Sequence, residues 1–125
     1  MKRMMFPAAI AVLSAAGFAL RRACVVRRMH GIRQRAERGD AEARYKLGAC
    51  HADGEGVEQN FTEAVRWYRK AAEQGFAPAK VGLGMFYRYG LGVEKDERQA
   101  AHWLRETAAR GDGAAQYALK KQGGA

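Results

Sequence analysis

Proline is almost missing from this chain, with only Pro7 and Pro78 among 125 residues. Set against fifteen glycines and abundant alanine, that scarcity disfavours a proline-rich β architecture and favours helices joined by glycine turns. Cysteine is equally sparse, and Cys24 and Cys50 cannot build a disulfide framework. His30, His51 and His102 are the only histidines, and no HExxH, CxxC or GxSxG occurs. Cys50 and His51 are neighbours, yet adjacent helix positions diverge by about 100° and do not converge on a substrate. No catalytic, cofactor-binding or metal-binding set is therefore expected.

Acidic residues are missing from the first 36 positions. Residues 1–39 hold nine Lys/Arg against the single acid Glu37, a net +8, while residues 40–125 hold thirteen against twelve, a net +1. The formal +9 of the chain thus belongs to its beginning. A nucleic-acid-binding body would need a basic stripe on the folded part, so nucleic acid is not expected as a partner. The leader instead has Lys2 and Arg3 ahead of an apolar run from Met4 to Leu20, followed by Arg21, Arg22, Arg27 and Arg28. Ser14 and Ala16 offer small residues to a signal peptidase, whereas the arginines after Leu20 favour an uncleaved anchor. Residues 1–26 are read as a signal peptide or membrane anchor, with membrane contact by residues 1–28, in the periplasm or on the inner membrane of a bacterial envelope. Organelle targeting and a cytoplasmic location are the alternatives.

Gly39, Gly75 and Gly111 stand 36 residues apart. Shifting the chain by 36 aligns DAEARYKLGACHADGEGVEQNFTEAVRWYRKAAEQG with FAPAKVGLGMFYRYGLGVEKDERQAAHWLRETAARG, identical at thirteen positions without a gap. This is a tandem repeat. A phosphate-cradling Gly-x-Gly loop is normally a single feature, whereas GEGV at 54–57 has a sister in GLGV at 90–93. Such a loop is a recurring turn between two helices. Gly54 and Gly90 suit the left-handed residue that ends a helix, Asn60 and Asp96 the cap of the next, and Gly56 and Gly92 complete the turn.

Each repeat then reads as helix A, glycine loop, helix B and short turn. Helices are predicted over 41–52, 61–74, 77–89 and 97–110, with half repeats at both ends. The organisation is a half-repeat helix at 27–39, repeat 1 at 40–75, repeat 2 at 76–111 and a C-terminal half repeat or cap at 112–125. Gly48 and Gly84 lie mid-helix, where glycine costs about 1 kcal/mol relative to alanine. Their recurrence predicts a bulky partner over each, and Trp67 and Trp103 are assigned that role. Leu47 and Leu83 mark the core face beside these glycines.

AEARYKLG, the GEGV and GLGV turns, EAVRWYRKAAEQG and AAHWLRETAARG resemble the Sel-one-like repeats, relatives of the tetratricopeptide repeats, over about residues 30–122. His51 departs from the tyrosine that the family commonly has there, as at Tyr87, and the cysteine pairs of its disulfide-rich bacterial subgroup are absent. The resemblance implies an all-α, α/α superhelical solenoid used as a non-catalytic protein-interaction scaffold, often in envelope or signalling assemblies. Its helices A would line the concave side. There the face opposite the core carries Tyr45, Ala49, Asp53, Val81, Met85, Tyr89, Tyr117 and Lys121, with Arg88 at the edge ready for a partner carboxylate. The partner is an unidentified protein. Association of copies through the open repeat ends is a further expectation, because stacked repeats usually need about three units for stability. Two alternatives are a membrane or nucleic-acid surface binder acting through the basic leader, and a hydrolase of the β-lactamase-like kind attributed to some cysteine-rich relatives.

Overall fold

A computed structural model describes residues 24–123 of the chain, and the side chains of residues 24–121. The expected leader thus lies largely outside the described residues. Six helices follow one another, with no strand among the described residues: α1 over 24–37, α2 Ala41–Asp53, α3 Phe61–Glu73, α4 Ala77–Tyr89, α5 Glu97–Ala109 and α6 Gly113–Gly123. The fold is an all-α solenoid of antiparallel hairpins. In it α2, α4 and α6 are A helices, and α1, α3 and α5 are B helices. From α2 onward, each helix packs on its neighbours in the chain.

The caps are written in the sequence. Asp40 accepts from the Glu42 and Ala43 amides, Asn60 from Glu63, Asp96 from Arg98 and Gln99, and Asp112 from Ala115. From α2 to α6, only α4 starts without a side-chain cap hydrogen bond. Phe76 holds its N-cap position and Pro78 its first turn, where a missing N–H costs nothing. Gly54 and Gly90 close α2 and α4 at φ of 72° and 67°, as the turn chemistry requires. Their amides donate to the carbonyls of Cys50 and Phe86, and those of Glu55 and Leu91 donate to the same two carbonyls. The loop N–H groups at these residues satisfy helix ends, so the Gly-x-Gly loop is a structural turn.

The second glycine of each loop has a different task. A Cβ on Gly92 would lie 2.4 Å from the Phe61 carbonyl carbon, and one on Gly56 would lie 2.6 Å from Met29 and 2.7 Å from Val25. Val25 is one repeat before Phe61, so each loop presses on the same turn of the preceding B helix. Val57 and Val93, next in each loop, are half-buried against the clusters around Leu47 and Leu83.

The mid-helix glycines do make room for a bulky side chain, but it is not tryptophan. A Cβ on Gly48 would meet the Tyr68 ring at 2.4 Å, and one on Gly84 would meet Leu104 at 2.9 Å. The occupant is the residue after each tryptophan. About 100° per residue separates the two directions. Tyr68 shares a stripe of α3 with Ala64 and Ala71, both fully buried, whereas Trp67 turns back to pack on the cluster of Met29, Ile32 and Leu47. Trp103 likewise packs on the cluster of the preceding repeat. The indoles bridge repeats, and both stay half-buried.

Tyr68 is held on two sides. Gly82 of α4 would place a Cβ 2.5 Å from the ring edge opposite the one that touches Gly48. Tyr45 stacks on the ring at 5.1 Å between centroids, and Phe86 tilts against it at the same distance. Burial raises the phenol's pKa well above its ordinary value. One repeat later the corresponding trio is Gly84, Leu104 and Ala118: a smaller side chain in the middle admits a methyl where Tyr68 needs glycine.

Candidate protein-binding face

The A helices carry the residues expected to meet a partner, and three environments divide them. Tyr45 and Ala49 are half-buried against the Tyr68 and Leu83 cluster, and Val81 and Met85 against Leu104, Ala115 and Ala118. The face opposite the core is therefore used in part to stack one repeat on the next. Tyr45 illustrates the reason: besides Tyr68 it touches Phe76, 5.5 Å away between centroids. Asp53, Tyr89, Tyr117 and Lys121 are exposed. Tyr89 is 56% and Tyr117 69% exposed, the most open aromatic rings among the described residues.

Arg88 is already engaged. Its Nη1 donates to the Ala118 carbonyl at 3.2 Å, and its guanidinium lies 5.7 Å from the Tyr89 ring centre. It ties α4 to α6 and supports Tyr89, leaving the rest of its fork available. The stripe Val81, Met85, Tyr89 on α4 runs beside Tyr117 and Lys121 on α6. Together they form an aromatic and thioether surface edged by cations, a composition suited to protein contact.

Several features carry no sequence signal of their own. Lys80, at 4% exposure, buries its ammonium against the Glu106 carboxylate of α5. That hydrogen bond holds Glu106 below the usual carboxylate range. The position recurs as Arg44, which donates to the Ala36 carbonyl and to Gln74, and as Gln116, which donates to the Ala108 carbonyl. Each is a polar tie at an A helix that follows a B helix. Arg69 donates to the Tyr87 hydroxyl. His51, one repeat earlier, has no such bond: its Nδ1 is buried without a partner, and burial lowers its pKa. Cys50 is a buried apolar helix residue, and burial raises its thiol pKa. No group of three or more His, Cys, Asp or Glu among the described residues could hold a metal ion, and no described helix is long and apolar enough to cross a membrane.

Comparison with known proteins places these features in a lineage. The Sel1 repeat family model matches residues 41–76 and 77–112. A protective antigen of uropathogenic Escherichia coli strains, described as displaying an SLR fold, is 36% identical over 78% of this chain, with a TM-score of 0.76. A Sel1 repeat protein of Oxalobacter formigenes is 34% identical over 78%, with a TM-score of 0.75. The chain covers only 21% and 28% of those two proteins. Cysteine rich protein B of Helicobacter pylori shares the fold at 23% identity, with a TM-score of 0.66, over 70% of this chain and 65% of its own. No curated protein matches the chain.

Proposed function

The chain belongs to the Sel1 repeat family, and on that premise we propose that it is a non-catalytic protein-interaction scaffold associated with a bacterial envelope. The observation that carries this reading is the pair Tyr89 and Tyr117, open on adjacent A helices beside half-buried Val81 and Met85. Stacking has consumed most other large apolar side chains, so rings left in water on α4 and α6 mark surface kept for another molecule. A tyrosine loses little conformational freedom on contact and offers both an apolar face and a hydroxyl. Met85 beside them adapts to irregular shapes.

The envelope assignment draws on the leader. Lys2 and Arg3, the apolar run to Leu20 and the arginines beyond it suit a signal peptide or an inner-membrane anchor that delivers the repeats to the periplasm or its boundary. A compartment-specific reporter fused after residue 38 is expected to be active outside the cytoplasm. Activity confined to the soluble cytoplasm contradicts the assignment.

The scaffold reading is tested by cross-linking affinity capture from native cells with the intact protein and with Met85→Glu. A protein cross-linked to the first and lost from the second supports a binding face on α4 and α6. Equal capture by both removes it.

A further inference from the structure

Every acidic side chain from residue 77 onward has its own place, and none stands on α4 or α6. Asp96 and Asp112 cap α5 and α6, Glu106 meets Lys80 and Arg110, and Glu97 meets Lys95. Glu94 lines a separate hollow with Tyr87 and Gln99. The cations of the two helices are not matched in the same way. Lys80 is buried against Glu106, but Arg88, Lys120 and Lys121 meet no carboxylate among the described residues.

Arg88 shows where this charge gathers. Its bond to the Ala118 carbonyl carries the guanidinium across to α6, beside the turn that holds Tyr117 and Lys121, and a neutral carbonyl leaves its charge uncompensated. The pattern is confined to these two helices. On α2, Lys46 pairs with Glu42 at 3.0 Å, and Asp53 stands where α4 has Tyr89, so Asp53 bounds the basic surface on that side. A helix dipole favours cations in a last turn, yet α5 has none there and α2 ends in Asp53, so the dipole alone does not account for them. An uncharged occupant would cover Arg88 and Lys121 without countercharge, and a basic one would be repelled. The leader cannot supply the missing charge, because residues 1–36 contain no acidic side chain. Carboxylates flanking an apolar side chain satisfy the cations and the open tyrosine rings together.

We propose that the face of α4 and α6 takes an acidic segment of another polypeptide, with carboxylates for Arg88 and Lys121 and an apolar side chain for Tyr89 and Tyr117. The proposal rests on the scaffold reading and gives its partner a chemistry.

The probe is a short fluorescent peptide with glutamates on both sides of a central phenylalanine. Its controls carry lysine for glutamate, or serine for phenylalanine. Anisotropy with the intact chain is expected to show saturable binding of the glutamate peptide that weakens with salt. Lys121→Gln, which breaks no bond within the described residues, should weaken it about threefold, as loss of an exposed charge pair does. Arg88→Gln should weaken it further, and Arg88→Gln combined with Lys121→Glu should abolish it, while unchanged thermal melts exclude misfolding. Arg35→Gln removes the same charge on α1 and should leave binding intact. The proposal is overturned if the glutamate peptide does not bind, if the lysine or serine control binds as well, or if duplex DNA competes equally well. Capture of a native partner that is lost with Met85→Glu but unchanged by Lys121→Gln and Arg88→Gln also overturns it, and leaves the scaffold reading standing.

Discussion

Replacing Gly82 with alanine sets two effects of known sign against each other. Alanine is the better helix former by about 1 kcal/mol. The new methyl, however, would stand 2.5 Å and 2.8 Å from two carbons of the Tyr68 ring. Retreat is blocked, because the opposite ring edge already touches Gly48 and the Ala64 carbonyl lies 3.1 Å from where a Cβ on Gly48 would be. Overpacking of this kind costs about 1–3 kcal/mol. The net effect is a loss of up to about 2 kcal/mol, or a Tm drop of several degrees for a domain near this size. Repeat 2 supplies the control, since it already combines leucine with alanine in Leu104 and Ala118. Tyr68→Leu alone should destabilise by losing the ring contacts with Tyr45 and Phe86, each about 0.5–1.5 kcal/mol. Added to Tyr68→Leu, Gly82→Ala should turn neutral or stabilising. Urea unfolding of the four proteins closes a double-mutant cycle with an expected coupling of about 1–3 kcal/mol. Additivity within about 0.5 kcal/mol would refute the clamp around Tyr68.

His51 offers a test of both pH dependence and repeat logic: its half-buried ring, with Nδ1 out of water, resists protonation, so below about pH 6.5 the unfolded chain binds a proton that the native state disfavours, and stability should fall as pH falls there. His51→Tyr, which copies Tyr87 and finds Arg33 where Arg69 would be, should remove that slope and add about 1 kcal/mol in chemical denaturation. Glu106 is lowered by Lys80, so its contribution is present above the unfolded carboxylate range and lost as pH falls through it, and Glu106→Gln should flatten the acid limb of the stability curve below about pH 4.5. Gly92→Ala should cost more than Gly75→Ala in thermal melts: both have positive φ, but only at Gly92 would the methyl meet backbone, the Phe61 carbonyl, whereas nothing lies within 4 Å of Gly75.

The repeat, its helices and its caps were legible because they rest on local chemistry. A residue such as Asp96 or Gly90 acts within a few positions of itself, and the 36-residue offset repeats the signal. The ends predicted for α2 to α5 agree with the structure to within a residue, as at Asp53, which extends α2 by one residue, whereas the half-repeat helix expected over 27–39 spans 24–37 among the described residues. The notch at Gly48 was legible too, since an unfavourable residue recurs there. Its occupant was not: size alone selects Trp67, whereas the direction of the side chain selects Tyr68, and direction depends on how α3 rotates against α2. Gly82 stayed hidden because its counterparts are Lys46 and Ala118, so no recurrence flags it. Lys80 reads as a surface cation until the approach of α5 buries it. The groove residues divide in the same way. Tyr89 and Tyr117 stay in water, while Tyr45 and Met85 are drawn into stacking by contacts between repeats that one helix's periodicity does not encode.

The contact that most directly decides how these repeats hold together is the one between the Tyr68 ring and two glycines on different A helices. Proton NMR of the intact protein should show nuclear Overhauser effects from the Tyr68 ring to the α-protons of both Gly48 and Gly82, with those α-protons displaced by the ring current. Cross-peaks from the Trp67 indole to Gly48, with none from Tyr68 to either glycine, would contradict it.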